Sequence, residues 1–531
     1  MTDHESLLAT YGSPAYVYDL DRVDRAREEL VAALPSGATL YYSLKANPHV
    51  DVVAALVAGG ARPEISSTGE LAAALAAGGD PAHMLYTGPG KTAAEIGAAL
   101  DAGVRTLSVE SPTDLHRVAA VARRSGRTAR CLLRVNGGEA AGHAGMRMTG
   151  ESSQFGSDIE VLLARRAELH GPDAEGAEIV GFHFYPVTNA GSGEVLLSEF
   201  TASIRTAARL RDELGVTVSV LDLGGGFACP FAVAGDRPAY PDLRAGCEAE
   251  LDRSFPGWRA GEVEIAFESG RHLVGDAGTL LCTVTDAKLS RGARFVVVDT
   301  GIHHLGGLSG IGRLLPLSAE PVVSAGEGPA PATDRARLVG PLCTPADTLG
   351  RGSTELPAVR PGQVLAIPNV GAYGATASLV GFLSRPAAVE ICRRGAEVVS
   401  ASRLELVRTP VPAGGAARAE AAPPTAVVDA VAGTGDGTGD TVGVTVGGDV
   451  PWDDRFPLVL RSVLPRLGEP ITPRSGLRGA GLDSLALVEL LVRLEETYAV
   501  TIPDDLLTPE VFETAAGVWN VLDRVRRPVE V

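Results

Sequence analysis

Cysteine is scarce in this sequence, and its arrangement excludes two kinds of small domain. Six cysteines are scattered over 531 residues, and no two of them form a CxxC pair. Structural zinc sites and disulfide frameworks both need closely spaced cysteines, so we predict no bound metal and no disulfide scaffold. Scattered, unpaired cysteines suit a reducing compartment such as the cytoplasm.

Positive charge and long apolar stretches are also in short supply. The chain has 47 Lys and Arg residues against 65 Asp and Glu, and its net charge of −18 argues against nucleic acid or an anionic membrane as the main partner. No run of ~18 apolar residues is present, and the first residues lack a basic region followed by an apolar core. We therefore predict a cytoplasmic protein without a membrane segment.

The sequence does contain enough apolar residues for several cores. Its hydrophobic fraction is 45%, although aromatic residues make up only 5%. Single domains usually have ~50–250 residues, so a chain of this length is expected to contain more than one. We predict a barrel domain over residues 1–280, a β domain over 281–408, a flexible linker over 409–449 and a small helical domain over 450–531.

The first domain alternates β-prone runs with helical stretches. Strand-helix alternation predicts a parallel sheet with right-handed crossovers, and eight such units predict a (β/α)8 barrel. An earlier strand over 15–18 is expected to pair with the β domain. The eight barrel strands are predicted over 39–44, 63–66, 84–87, 106–109, 131–135, 179–184, 218–223 and 263–267.

Polar residues follow the predicted strands at the ends where barrel active sites lie. Any one of them could be structural, but together they indicate a site at one rim of the barrel. They are Lys45, Ser66, Ser67, Glu70, Gly88 to Lys91, Glu110, Ser111, Arg134, Asn136, His183, Gly224 to Gly226, and Glu268 to Arg271.

The rest of the chain changes character twice. Strands without intervening helices, over 281–285, 293–298, 337–339, 363–367 and 397–400, predict an antiparallel β domain. The segment 409–449 is rich in Ala, Gly, Pro and Thr and cannot bury enough apolar surface to fold. Helical patterning then returns over 456–467, 484–498 and 512–525.

Lys45 ends the first predicted barrel strand. Asn47 and Pro48 stop that strand, because proline has no N–H for the ladder. A partly desolvated lysine has a lowered pKa and can form a Schiff base. A lysine at a strand end is more often solvated, so the argument for Lys45 depends on its neighbours.

Those neighbours resemble the fold-type III pyridoxal-phosphate decarboxylases, the family of ornithine, arginine and diaminopimelate decarboxylases. The resemblance covers about the first 410 residues. It is carried, in order, by the segments 41–48 (YYSLKANP), 66–71 (SSTGEL), 133–136 (LRVN), 181–184 (GFHF), 222–227 (DLGGGF), 268–271 (ESGR), 340–343 (GPLC) and 371–374 (GAYG).

The resemblance implies pyridoxal 5'-phosphate as cofactor and assigns most of the site. Lys45 would hold the cofactor covalently, and His183 would stack on its ring. Glycine turns suit a phosphate because nothing blocks approach to their backbone N–H groups. The implied phosphate contacts are Gly224, Gly225, Gly226, Gly270, Arg271 and Tyr373, and Glu64 and Arg134 complete the implied cofactor contacts.

Glu268 and Cys343 bear on the reaction type. A carboxylate at the pyridine nitrogen keeps that nitrogen protonated and makes the ring a strong electron acceptor, which favours decarboxylation. An alanine-racemase-like enzyme, the alternative on this fold, uses arginine there. Cys343 resembles the family's cysteine that returns a proton to the substrate carbon across a dimer interface, which implies a homodimer. A non-catalytic scaffold that binds the cofactor would need neither residue.

The sequence also departs from the family. In members that act on polyamine precursors an acidic residue follows the cysteine and binds a distal ammonium, whereas here the position is Thr344, and Asp347 is the nearest carboxylate. We predict that Thr344 and Asp347 contact the substrate. Residues 184–188 (FYPVT) lack the usual Gly-Ser, which puts one phosphate contact in doubt.

The last ~80 residues resemble an acyl carrier protein. Gly481-Leu482-Asp483-Ser484-Leu485 opens a predicted helix, so Ser484 would be the phosphopantetheine attachment site. Helix capping is the simpler role for a serine there. The position of this motif in a small helical domain beyond a linker favours attachment. A phosphopantetheinyl transferase and a carrier-loading ligase are the implied partners.

A fused carrier suggests that the substrate is tethered. Decarboxylation at Cα needs a free α-carboxylate and a free α-amino group. An amino acid on Ser484's arm must therefore be attached through a second carboxyl, which predicts glutamate, aspartate or a relative and a γ- or β-aminoacyl thioester product in natural-product biosynthesis. The alternative is a decarboxylase of a free amino acid, similar to diaminopimelate, whose carrier serves another step.

Overall fold

The computed structural model describes residues 3–137, 146–147, 153–306, 319–323, 333–350, 352–410 and 452–526. The last range has short gaps at 465–466, 468–469, 478–479, 481, 483, 499, 501, 503–505 and 507–508. The predicted linker lies outside the described residues from 411 onward.

Eight parallel strands close into a barrel, which confirms the predicted fold. Each strand pairs with the next one along the chain, and the ring closes where the eighth strand pairs with the first. The strands are Thr39–Ser43, Arg62–Ile65, Leu85–Tyr86, Thr106–Val109, Ala129–Asn136, Ala177–His183, Val220–Asp222 and Glu264–Ser269.

Helices cover the outside of the barrel, and a small apolar cluster fills its centre. The central cluster contains Tyr41, Leu85, Leu132, Val180, Val220 and Ala266. A much larger core lies between the strands and the helices. These helices are Leu20–Ala33, Val50–Ala58, Thr68–Ala76, Ala93–Ala102, Pro112–Arg124, Ile159–Ala164, Arg166–Leu169, Gly193–Leu214 and Leu243–Ser254.

Serines placed just after strand ends start two of these helices. The Ser67 hydroxyl accepts a hydrogen bond from the Glu70 N–H, and the Ser111 hydroxyl accepts one from the Asp114 N–H, both at 3.1 Å. Side-chain caps of this kind satisfy N–H groups that the helix itself leaves free. The chain therefore turns from strand to helix at a defined residue, which fixes the rim of the barrel.

The β domain is mainly antiparallel, with two parallel pairings. Strand Ala15–Asp19 lies between Gly278–Ser290, which is antiparallel to it, and Val389–Arg394, which is parallel. Ala293–Val298 pairs in parallel with Thr333–Val339. The other strands are Val322–Val323, Thr354–Pro357, Val364–Ile367 and Glu397–Arg403, and helix Asp3–Tyr11 packs on this domain through Leu7 and Leu8.

Two details differ from the sequence-based expectation. The predicted boundary at 280 falls inside the strand that begins at Gly278. The strands Val322–Val323, Thr354–Pro357 and Val389–Arg394 were not predicted, and the last two carry charged residues that interrupt an apolar pattern.

The C-terminal region has a core of its own. Its helices are Arg455–Val463, Ser484–Tyr498 and Ala515–Arg526, with a 3-10 turn at Pro509–Phe512. Phe456, Leu490, Leu494 and Leu522, among others, form an apolar cluster that is separate from the barrel core. Among the residues that the structure describes, no helix is both long and apolar enough to cross a lipid bilayer.

Candidate active site

Lys45 lies at the mouth of the barrel, directly after the first strand. That strand ends at Ser43, and a 3-10 turn over Leu44–Ala46 presents the lysine. Its Nζ is 3.7 Å from Glu64 Oε2 and 5.3 Å from the centre of the Tyr185 ring. About two fifths of the Lys45 side chain, 42%, is accessible, whereas the flanking Leu44 and Ala46 are buried. The amine is thus held in place and can still be reached.

The electrostatics of Lys45 differ from the sequence-based expectation. Burial alone would lower the pKa of the amine, but Glu64, Tyr185 and Glu268 outweigh burial and raise the pKa above its ordinary value. The expected lowered pKa is therefore wrong for this arrangement of side chains. A charged lysine beside a buried carboxylate remains able to give up its proton once a carbonyl compound is bound.

The other lysines are unsuited to the same role. The sequence contains three lysines, Lys45, Lys91 and Lys288. Lys91 Nζ forms a buried ion pair with Asp114 Oδ2 at 2.8 Å, and Lys288 lies on an exposed strand near Asp286. Lys45 is therefore the one lysine at the rim with an accessible amine.

His183, Asp222 and Glu268 form a buried group at the ends of the last three barrel strands. His183 Nε2 is 3.0 Å from Glu268 Oε1, and both side chains are 1% exposed. His183 Nδ1 also lies 2.7 Å from Ser108 Oγ. Burial would raise the pKa of Glu268, but His183, Lys45 and Arg134 more than offset burial and lower it. Glu268 is thus a carboxylate that can face a protonated ring nitrogen.

Asp222 behaves in the opposite way to Glu268. Burial, with a further contribution from the Glu268 charge, raises the pKa of Asp222 to about 7. Its Oδ1 accepts a hydrogen bond from the Gly224 N–H at 2.9 Å. Asp222 therefore holds the start of the glycine turn and shares the negative charge of this group unequally with Glu268.

Arg134 closes another side of the site. Its Nη1 is 3.2 Å from Glu110 Oε1, with both side chains 7% exposed. Glu110 Oε2 accepts a hydrogen bond from the Gly156 N–H at 2.6 Å, and the Arg134 guanidinium lies 4.7 Å from the Phe155 ring. These contacts fix the Arg134 head group close to the Glu268 carboxylate, whose pKa it helps to lower.

The glycine turn after the seventh strand and a loop of the β domain meet near Lys45. Gly224 and Gly226 have φ values of +72° and +119°, which favour glycine. The Tyr373 N–H donates to the Ala46 carbonyl at 2.7 Å, and the Arg271 guanidinium lies 4.9 Å from the Tyr373 ring. Tyr373 and Gly270 thus lie against the turn that contains Lys45, and Arg271 lies beside Tyr373.

These residues suit pyridoxal phosphate in their chemistry. Among the described residues, the buried polar atoms at this rim that lack a hydrogen-bond partner include Ser43 Oγ, Asp222 Oδ2, Ser269 Oγ and Arg271 Nη1. Buried polar atoms are normally paired, so an unpaired group here indicates a place for a polar ligand. Arg271 and the glycine turn suit a phosphate, Glu268 suits a pyridinium nitrogen, and Lys45 suits an aldehyde.

Comparison with known proteins decides the family. The family model "Pyridoxal-dependent decarboxylase, pyridoxal binding domain" matches residues 20–275. Diaminopimelate decarboxylase of Neisseria meningitidis serogroup A is 33% identical over 375 residues, which cover 70% of this chain and 87% of that protein. The chain belongs to the pyridoxal-dependent decarboxylases.

Further similarities extend the comparison. This decarboxylase is 28% identical to the L-glutamyl-[BtrI acyl-carrier protein] decarboxylase of Niallia circulans over 400 residues. These residues cover 73% of this chain and 90% of that protein. The structure of diaminopimelate decarboxylase from Helicobacter pylori with L-lysine matches with a TM-score of 0.63 and 27% identity, over 74% of this chain and 95% of that one. The model "Phosphopantetheine attachment site" matches residues 459–516. The chain is thus a pyridoxal-phosphate enzyme that also has a phosphopantetheine attachment domain.

Cys343 of this decarboxylase is not joined to the Lys45 group by any contact that the described residues show. It is the one exposed cysteine of the six, on a turn of the β domain. Among the described residues, no hydrogen bond or ion pair joins residues 340–347 to the side chains around Lys45. Thr344 is half-buried, and the Asp347 carboxylate is 2% exposed and accepts hydrogen bonds from two backbone N–H groups. Substrate contact by Thr344 and Asp347 remains a prediction.

Ser484 is the first residue of the helix Ser484–Tyr498 in the C-terminal region of this decarboxylase. Its neighbours Gly481 and Asp483 lie outside the described residues. The position matches the prediction that this motif opens a helix, and attachment at Ser484 itself remains a prediction.

Sequence reasoning missed three residues of the site. Ser108 lies in the fourth strand and contacts His183. Asp222 was noted only as part of a motif, and Tyr185 only as a departure from the family. Strand alternation could have indicated that Ser108 points inward, but the contact between Tyr185 and Lys45 depends on a loop conformation that the sequence does not specify.

Proposed function

We propose that this enzyme removes the α-carboxylate of an acidic amino acid that is tethered to a carrier through its side-chain carboxyl. Glutamate or a close relative is the proposed amino acid, and the product is a γ-aminoacyl thioester, or a β-aminoacyl thioester if aspartate is used. The observation that carries the proposal is the pairing of a decarboxylase similar to the L-glutamyl-[BtrI acyl-carrier protein] decarboxylase with a phosphopantetheine domain on one chain.

Elementary chemistry supports the mode of attachment. Loss of carbon dioxide from Cα requires a free α-carboxylate, and covalent linkage to the cofactor requires a free α-amino group. An α-thioester would have no carboxylate to lose. The thioester must therefore use the second carboxyl, which leaves the α-amino acid end free to enter the barrel.

The turn beside Cys343 also favours an acyl-linked substrate over a diamino acid. The residue after the cysteine is Thr344, which carries no charge. The Asp347 carboxylate already accepts hydrogen bonds from the Ile302 N–H at 2.9 Å and the Leu342 N–H at 2.7 Å. Neither residue offers a free carboxylate to a distal ammonium group, and a thioester-linked substrate has no such group.

The residues have distinct proposed roles in the reaction. Pyridoxal phosphate, when bound, accepts the electron pair that the departing carbon dioxide leaves behind. Lys45 would hold the cofactor through its aldehyde, and Arg271, Tyr373 and the glycines 224–226 would hold its phosphate. Glu268 would keep the ring nitrogen protonated, and Cys343 would donate a proton to the substrate carbon.

The proposed assembly is a homodimer, which is typical of the family, with Cys343 of one subunit completing the site of the other. The composition of residues 409–449 predicts a linker, which would give the carrier domain its reach. A flexible coil of ~40 residues would have an r.m.s. span of about 35 Å, and tethering of this kind would raise the local concentration of the substrate to the ~mM range. A phosphopantetheinyl transferase and a carrier-loading ligase are the proposed further partners.

The test uses the full chain loaded with pyridoxal phosphate and with γ-glutamyl-phosphopantetheine at Ser484. Intact mass of the carrier region should fall by the mass of one carbon dioxide in the parent enzyme but not in Lys45→Ala. Ser484→Ala should accept no arm. Free glutamate, aspartate and diaminopimelate serve as competing substrates. Rapid turnover of a free amino acid without any change in the loaded arm would contradict the proposal.

Mixing the two variants separates action within one chain from action between chains. Lys45→Ala retains an intact carrier, and Ser484→Ala retains an intact barrel. Carbon dioxide loss in the mixture shows that a carrier can visit the barrel of another chain. Carbon dioxide loss only in the parent shows that each carrier serves its own barrel.

A further inference from the structure

The Asp347 carboxylate is built into the turn that bears Cys343. It is 2% exposed, and its Oδ2 accepts a hydrogen bond from the N–H of Leu342, the residue directly before Cys343, at 2.7 Å. Its Oδ1 accepts a hydrogen bond from the Ile302 N–H at 2.9 Å. One side chain thus joins the Cys343 turn to a second loop of the β domain.

Two glycines pack closely against this carboxylate. A Cβ atom on Gly301 or on Gly340 would overlap the Asp347 carboxylate oxygens. Neither glycine has a positive φ. Close packing, and not backbone conformation, therefore requires glycine at these positions. Asp347 therefore contacts the two glycines and two backbone N–H groups on its inner side, where a substrate group would have to displace them.

The same turn is closed by backbone hydrogen bonds. Gly340 N–H donates to the Asp347 carbonyl at 2.9 Å, Thr344 N–H to the Leu342 carbonyl at 2.8 Å, and Asp347 N–H to the Thr344 carbonyl at 3.2 Å. Cys343 remains exposed at the tip of this closed turn. The backbone of the turn is thus fixed by hydrogen bonds while the thiol stays accessible. A positioned proton donor needs both properties.

Hydrogen bonds from backbone N–H groups to a carboxylate are stronger than those between neutral groups. Loss of the bond from the Leu342 N–H would free the backbone that precedes Cys343. The position of the thiol would then vary, and proton transfer is sensitive to such changes because it needs heavy atoms within hydrogen-bond reach.

We infer that Asp347 is a positioning residue that holds Cys343 for proton donation, and that it does not bind substrate. The inference rests on the proposed function only in that Cys343 is the proton donor. Asp347 acts through the Leu342 N–H, and its effect is on where and how often Cys343 delivers its proton.

The first experiment uses thiol reactivity, which needs no substrate. The other five cysteines are buried, so brief treatment of the native holoenzyme with iodoacetamide reports on Cys343. Asp347→Asn, which retains one acceptor oxygen in place of two, should change the alkylation rate of Cys343 at least ~3-fold, because a charge-assisted hydrogen bond to its neighbour is lost. Asp19→Asn is the matched control, since Asp19 also accepts two backbone N–H groups, at the start of the helix Leu20–Ala33.

The second experiment follows the fate of the proton during turnover. In Asp347→Asn the fraction of turnovers that protonate the cofactor carbon and leave pyridoxamine phosphate should rise by ~10-fold, within the range that a general acid contributes. KM for the loaded carrier should stay within a factor of two or so. A residue with a merely structural role would reduce the amount of active enzyme without moving this ratio.

Gly301→Ala provides an independent variant if Asp347→Asn folds poorly. Its added methyl group displaces the same carboxylate while Asp347 itself is unchanged. Both variants should shift Cys343 reactivity and the protonation ratio together. Unchanged Cys343 reactivity and an unchanged protonation ratio in both variants would overturn the inference. A ~10-fold rise in KM with unchanged Cys343 reactivity would also overturn it, because a raised KM assigns Asp347 to substrate binding. If the parent released no carbon dioxide from the loaded carrier, the proposed function would fail, while the alkylation rates would still decide the role of Asp347.

Discussion

His183 Nε2 lies 3.0 Å from Glu268 Oε1, and each side chain is only 1% exposed. This contact lowers the pKa of Glu268 against the effect of burial and keeps the carboxylate charged. A charged carboxylate at the ring nitrogen distinguishes a decarboxylase site from a racemase-like one on the same fold. The relation between these two residues is therefore the basis of the first prediction.

We expect Glu268→Gln to slow decarboxylation by at least ~10²-fold, because the amide cannot keep the ring nitrogen protonated and the electron sink is weakened. The measurement is the rate of carbon dioxide release under saturating substrate. Glu264→Gln is the control, because Glu264 lies at the other end of the same strand and pairs with Arg62. Equal rates for Glu268→Gln and the parent would remove Glu268 from the reaction.

Lys45→Ala should abolish covalent attachment of pyridoxal phosphate. Borohydride reduction followed by peptide mapping should label Lys45 in the parent and no peptide in the variant, since Lys91 is buried in an ion pair with Asp114. The Lys288→Ala variant, which is changed on an exposed strand, should be labelled at Lys45 as the parent is. A labelled peptide in Lys45→Ala would show that another group takes the cofactor.

Cys343→Ala should leave cofactor binding intact and reduce kcat by ~10²-fold or more, as expected for loss of a general acid. The absorbance of the bound cofactor and the rate of carbon dioxide release are measured on the same sample. Cys247→Ala is the control for removal of a thiol, because Cys247 is buried in the helix Leu243–Ser254. Equal turnover in Cys343→Ala and the parent would exclude Cys343 as the acid.

Tyr185→Phe should weaken pyridoxal phosphate binding by about 10-fold, the worth of one hydrogen bond to a charged group. A Cβ on Gly225 would lie 3.2 Å from the Tyr185 hydroxyl oxygen, so this hydroxyl reaches the glycine turn where the family's Gly-Ser is missing. Cofactor titration of the apoprotein measures the dissociation constant. Tyr11→Phe, in the helix Asp3–Tyr11, is the control. An unchanged dissociation constant in Tyr185→Phe would show that the Tyr185 hydroxyl does not contact the phosphate.

Asp222→Asn should change how the stability of the cofactor-free protein depends on pH. The pKa of Asp222 is raised from 3.8 to about 7 in the folded chain. Between about pH 5 and 7 the unfolded chain has this group ionised while the folded chain keeps it protonated, so the group lowers stability as pH rises, by ~1.4 kcal/mol per pH unit. Asparagine resembles the protonated form of aspartate and does not ionise, so the variant does not lose this stability as pH rises.

The melting temperature of Asp222→Asn relative to the parent should therefore rise across that pH range by roughly 5 °C or more, and level off above pH 7. Thermal unfolding at half-unit pH steps measures the difference. A constant difference between the two proteins from pH 5 to 8 would contradict the raised pKa.

The order and type of the elements could be predicted from the sequence because they depend on local patterns. All eight barrel strands were predicted within a few residues, since each is a short β-prone run between helical stretches. The strands Thr354–Pro357 and Val389–Arg394 could not be predicted, because their pairing with distant strands, and not their composition, keeps them extended.

The sequence by itself determined that Lys45, His183 and Glu268 would end barrel strands, since parallel strands bring their carboxyl ends to one rim. Only the tertiary structure decided how each group ionises, because the pKa of a buried group depends on charges a few ångströms away that lie far apart in the chain. It places Glu64 beside Lys45 and raises a pKa that was expected to fall. It also places Asp347 against the backbone of Leu342 and Ile302, so that a carboxylate predicted to contact substrate is held within its own turn.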